Sequence, residues 1–145
     1  MSFQYTLQKV LDFKEKQKQE KEAMFNQAVR TFEEVATTLY HLLKKKENTE
    51  SYYEEKLNLG VTVYELQMHQ TQLLRLQKEI EKQQRLTNLA RDNMNRAQET
   101  LIEISVEYKK YVKMKEKQLE AYLENLKREE TKLMDEISIQ MYANR

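Results

Sequence analysis

The chain has 145 residues, 25 basic and 24 acidic side chains, a net charge of +1, one glycine, no proline and no cysteine. Without cysteine there are no disulfides, thiolate nucleophiles or sulfur-ligated metals. A composition led by Glu, Lys, Gln and Leu, with 34% of residues charged, describes long helices rather than a compact mixed domain. No stretch reaches the roughly 20 apolar residues that span a bilayer, and the opening MSFQYTLQKV lacks the apolar run of a secretory signal. The expectation is a cytoplasmic protein with no direct membrane insertion.

The first predicted element is a helix over about residues 4 to 58. Its apolar seam follows alternating spacings of three and four, through Leu7, Leu11, Lys14, Lys18, Lys21, Phe25, Ala28, Phe32, Val35, Leu39, Leu42, Lys46, Thr49 and Tyr53, the period of a coiled coil. Asn48 and Thr49 offer an earlier stop. The stronger stop is Gly60, the single glycine, which suits the left-handed residue just past a helix end.

A second helix is predicted to begin at once, over about 62 to 141, after a turn at about 58 to 62. Thr62 is a suitable N-cap, Glu65 completes a T-x-x-E capping box, and Val61 and Leu66 have the spacing of a hydrophobic staple. The seam of this arm reads Val63, Leu66, Gln70, Leu73, Gln77, Ile80, Gln84, Thr87, Arg91, Met94, Gln98, Leu101, Ser105, Tyr108, Val112, Lys115, Leu119 and Tyr122. So many polar seam positions imply a slender pair of helices. The fold class is thus all-α: a single antiparallel coiled-coil hairpin whose second helix is longer.

With the reversal near Gly60, residues whose numbers total about 120 face each other, so nothing remains opposite positions beyond about 118. Yet Leu119, Tyr122, Leu126, Leu133 and Ile137 continue the apolar stripe. A lone amphipathic helix is marginal in water unless something covers that stripe. The overhang, with Leu7 and Leu11, is therefore expected to dock another protein, the rival being a frayed or self-associating tail.

Little points to chemistry. His41 and His69 fall far apart in the antiparallel arrangement, on solvated flanks, and form no metal site. The paired acids Glu33 and Glu34, Glu54 and Glu55, and Glu129 and Glu130 are neighbours in sequence and project about 100° apart on a helix. The run Lys44, Lys45, Lys46 is followed at once by Glu47 and Glu50, and no aromatic platform interleaves with basic residues, which disfavours nucleic acid. No enzyme activity and no cofactor are expected.

Three segments, FQYTLQKVLDFKEKQ, GVTVYELQMHQTQLLRLQKEIEKQQ and KREETKLMDEI, resemble the flagellar export protein family FliJ, the coiled-coil component of the flagellar type III secretion apparatus. The resemblance covers most of the chain, and its distinctive piece is the G-[VI]-[ST]-x-x-E-L segment followed by Leu76 and Ile80. It implies a non-catalytic component similar in architecture to the central stalk of rotary ATPases. The ATPase-binding surface implied is Leu7 and Leu11 with Leu119, Tyr122, Leu126 and Leu133, entering the hexameric export ATPase. The implied contact with the cytoplasmic part of the export gate membrane protein is Tyr53, Leu76 and Gln83. Where the family can carry a histidine, an aromatic and a tyrosine on that face, this chain has Gln83, Gln72 and Thr49. The resemblance further implies escort of export chaperones and a peripheral location at the cytoplasmic face of the membrane, at the flagellar base. The rival reading is a self-associating structural coiled coil or general chaperone-like scaffold.

Overall fold

The computed structural model describes residues 2–144. Its regular structure is two helices, α1 over Gln8–Leu59 (52 residues) and α2 over Val63–Ala143 (81 residues). The fold is all-α, with the two long helices packed antiparallel against each other and the second the longer. It divides into two compact units. The hairpin unit is Lys21–Leu101, and the terminal unit is Met1–Glu20 with Ile102–Arg145.

In the hairpin unit the chain reverses at Gly60, whose φ of +93° is the only positive value among the described residues. The Gly60 N–H donates to the Leu57 carbonyl at 3.2 Å, which tightens the last turn of α1. Two residues later Thr62 caps α2: its hydroxyl accepts the Glu65 N–H at 3.1 Å, and its carbonyl accepts the Leu66 N–H at 3.0 Å. Glu65 also puts a negative charge in the first turn, where the helix dipole favours it. Thr49 does not stop α1, because its hydroxyl donates to the Lys45 carbonyl at 2.7 Å. A threonine satisfied four residues back is compatible with an unbroken helix.

The α1 seam is the one its spacing predicts: every position of the series from Lys21 to Tyr53 is buried or half-buried. On α2 the observed seam corrects the expected one. Leu73, Gln77, Ile80, Thr87, Met94 and Leu101 are covered as expected, but the other covered positions among them are Leu76, Gln83, Ala90 and Ala97, whereas Val63, Leu66, Gln70, Gln84, Arg91 and Gln98 are exposed. Both series have the same period and share one seam position per heptad. They differ in taking the four-residue step before or after it, and the observed phase buries Leu and Ala in place of Gln and Arg.

Several polar groups at this seam meet the facing helix. Gln83 Nε2 donates to the Val35 carbonyl at 3.2 Å, using the second lone pair that a helical carbonyl keeps free. The Thr87 hydroxyl, buried between the helices, donates to the Gln83 carbonyl at 2.7 Å and lies 3.5 Å from that of Val35. Lys46 Nζ donates to Gln77 Oε1 at 2.8 Å, and the Arg91 guanidinium lies 5.6 Å from the centre of the Phe32 ring.

In the terminal unit α1 begins at Gln8, later than the expected residue 4. The Gln8 N–H donates to the Tyr5 carbonyl at 3.0 Å in a turn. The preceding residues stay non-helical because two aromatic anchors hold them on α2. Tyr5 is buried and its O–H donates to the Tyr111 carbonyl at 3.3 Å, while the Phe3 ring lies 5.5 Å from that of Tyr122. In a helix, residues two apart would point about 200° from each other, so a helical start could not seat both rings. Further along, Lys14 Nζ pairs with Glu107 Oε2 at 2.8 Å and the Lys18 ammonium sits 5.1 Å from the centre of the Tyr108 ring. Coverage of α2 stops at Tyr122: every residue from Leu123 to Asn144 is exposed.

Two outcomes are expected. Nothing lies within 4 Å of where a Gly60 Cβ would stand, so Gly60→Ala meets backbone strain rather than a clash and should lower unfolding stability by about 1–2 kcal/mol. Gly60→Asn should lose less, as read by urea unfolding. The hydrogen bond from Lys14, and then its charge, hold the Glu107 carboxyl below the ordinary range, and the same bond raises Lys14. A depressed carboxylate contributes stability that is present above its unfolded value and lost as pH falls through the folded one. Glu107→Gln should therefore flatten a small acid-side loss of stability, and the difference from the parent chain should shrink in about 1 M salt.

Candidate functional site

Two regions carry the residues singled out from sequence, one in each unit. In the hairpin unit, Tyr53 near the end of α1 and Leu76 on α2 are both buried, and Gln83 is half-buried and engaged with Val35. All three belong to the seam, so their side chains hold the helices together. The sequence reading missed the partner of Tyr53. His69 is not on a solvated flank: it is half-buried, and its ring lies parallel to that of Tyr53 with centroids 3.5 Å apart and planes 7° from each other. The signal that could have found it is the register itself, since 53 and 69 total close to 120. The Tyr53 O–H is buried and meets no hydrogen-bond partner among the described residues. An open groove of about 580 Å³ beside this stack is lined by residues that include Tyr52, Tyr64, Met68 and Arg75.

His41 is exposed, and among the described residues no group of three or more His, Asp or Glu is arranged to hold a metal. No helix among them is long and apolar enough to cross a membrane.

In the terminal unit the six singled-out residues separate by burial. Leu11 is buried at 6% exposure and Leu7 is half-buried, so they pack inward within the unit. Tyr122 is half-buried against Phe3. Leu119, Leu126 and Leu133 are open to solvent, at 38%, 36% and 57% exposure. With Leu123 and Ile137 they form an apolar stripe along α2 at spacings of four, three, seven and four, exposed within the unit.

A family model described as Flagellar FliJ protein matches residues 3–145. The chain belongs to the FliJ family. A flagellar FliJ protein of Bacillus subtilis (strain 168) is 38% identical over 142 residues, which is 98% of this chain and 97% of that one. No solved structure matches the chain. FliJ membership supports a component of flagellar export, the family read from the three segments of sequence.

The burial difference between the inward and outward leucines is measurable. Leu11→Ala should cost about 2–4 kcal/mol, since it opens a cavity at a covered site. Leu133→Ala should stay within about 0.5 kcal/mol of the parent chain in the same urea titration.

Proposed function

We infer that this FliJ-family chain does no chemistry of its own and serves as a stalk-like part of the flagellar export apparatus. It binds the export ATPase hexamer through the terminal unit, and the region near the chain reversal couples to the cytoplasmic part of the export gate. The observation that carries this reading is the exposed apolar stripe of Leu119, Leu126 and Leu133, which runs on past Tyr122 into a part of α2 where every described residue is exposed. Helix formation in water depends on packing an amphipathic face, so such a stripe calls for a partner. Leu7 and Leu11 pack inward within the terminal unit and lie outside that stripe. The role puts the protein at the cytoplasmic face of the membrane, at the flagellar base, held by its partners.

A stalk of this kind influences the ATPase only by contacting its nucleotide states with different strength, because a ligand shifts an equilibrium by its differential affinity and by nothing else. Interleaved surface charges suit that task, since solvated ion pairs are individually weak and exchange easily. The mixed charge of α2 also suits the escort of empty export chaperones.

Addition of the purified chain should raise ATP hydrolysis and ring formation by the cognate export ATPase. Leu126→Glu should abolish both effects while leaving helical content unchanged. Absence of stimulation together with absence of binding would remove the stalk reading. A tight dimer that Leu126→Glu dissociates would show instead that a second copy covers the stripe.

A further inference from the structure

The hairpin unit carries an apolar surface that its own seam does not use. From Leu57 to Tyr64 no residue is charged, in a chain where 34% are. Within and just beyond that run, Leu59 is 88% exposed, Val63 72%, Tyr64 70% and Met68 55%. The reversal needs only the backbone of Gly60 and the Thr62 cap, so these large side chains contribute nothing to making the turn. An exposed apolar patch of this kind marks an association surface.

What surrounds the patch says what it meets. Between Glu47 and Met68 there are five glutamates and one lysine, all exposed, against a whole-chain charge of +1. Lys56 lies 5.3 Å from the centre of the Tyr52 ring. We propose that the apex around Leu59, Val63 and Tyr64 docks into an apolar pocket of a protein partner whose rim carries lysine and arginine. Tyr64 and Leu59 are the anchors, and the glutamates select the rim by charge complementarity. A membrane surface is the wrong occupant, because its anionic leaflet repels the acidic collar. A second copy is wrong for the same reason, since two acidic collars would face each other. The proposal rests on the reading that this end of the chain meets a partner such as the export gate, and it moves the contact from the buried Tyr53 and Leu76 to the residues that are free to make it.

The test uses the full chain in motile cells, with a photoreactive benzophenone amino acid in place of Leu59. The expected result is an adduct with one protein, its crosslinked peptide lining an apolar pocket flanked by Lys and Arg. The yield should fall severalfold when Glu54→Lys and Glu55→Lys are combined, and binding of the purified pair should weaken as salt rises. No adduct, adducts with lipid or with a second copy, a pocket without basic residues, or salt-insensitive binding would each overturn the proposal. The salt series does not depend on how the double variant folds. A basic-rimmed adduct with a protein other than the export gate would leave this proposal standing and remove the gate reading alone, whereas a gate adduct at an uncharged pocket would do the reverse.

Discussion

The left-handed backbone at Gly60 is the constraint on which the rest of the hairpin unit depends. By ending α1 at Leu59 and letting Thr62 cap α2, it fixes which residues of the two helices meet. Tyr53 then falls against His69, Lys46 against Gln77, and Val35 against Gln83 and Thr87. A one-residue shift of the reversal would take Gln83 away from the Val35 carbonyl and turn Leu76 outward. The side chains enforce the same register, so turn and seam are mutually consistent.

The seam held in that register is thin. Fully buried apolar side chains in the hairpin unit are Tyr53, Leu76, Ile80 and Ala90, and the rest of the seam is half-buried apolar residues interspersed with amide, hydroxyl, ammonium and guanidinium groups. Two helices in contact along one stripe cannot enclose a wide core, so polar residues remain at the seam edge where their charged ends reach water. Of those covered, Gln83 and Lys46 donate hydrogen bonds to acceptors on the facing helix, and Thr87 donates to the Gln83 carbonyl of its own. Such pairing adds only about 1 kcal/mol per bond, and it does much to keep the phase of the heptads, because a slip leaves each donor without an acceptor. In the terminal unit Tyr5 and its bond to the Tyr111 carbonyl act in the same way.

The sequence made legible what depends on spacing alone and hid what depends on phase or on non-helical backbone. The α1 series was readable because apolar residues occupy both seam positions in turn from Phe25 through Ala28, Phe32, Val35 and Leu39 to Leu42, leaving one phase open for the whole helix. On α2 the shared positions Leu73, Ile80, Thr87, Met94 and Leu101 permit two phases. Choosing between them requires weighing Leu76, Ala90 and Ala97 against Gln84, Arg91 and Gln98. Small alanines carry little apolar signal even though they let helices approach closely. Leu7, Leu11, Tyr53 and Leu76 were legible as apolar and not as inward-facing, since a seam and a docking stripe have one and the same periodicity until a facing helix is present. The Phe3 and Tyr5 anchors were hidden by a helix expected from about residue 4, because their spacing of two belongs to no helix face.

Exposure alone does not distinguish an association surface from a tolerated apolar residue, and charge patterning helps to do so. Leu89 and Ile102 are 56% and 55% exposed, but each stands near charged or amide side chains whose hydration keeps the surrounding surface soluble. Around Leu59, Val63 and Tyr64 no charged neighbour exists within the run from Leu57 to Tyr64, and its one amide side chain is Asn58. The same holds in the terminal unit from Ile137 to Asn144, where no residue is charged and Ile139, Met141 and Tyr142 are 68%, 70% and 78% exposed. Water released on covering an apolar side chain contributes about 25 cal/mol per Å², and the gain is largest where no charged group must be desolvated with it. In each unit such a stretch lets association gain apolar burial without stripping ions, and both of these lie where the opposing helix gives no cover.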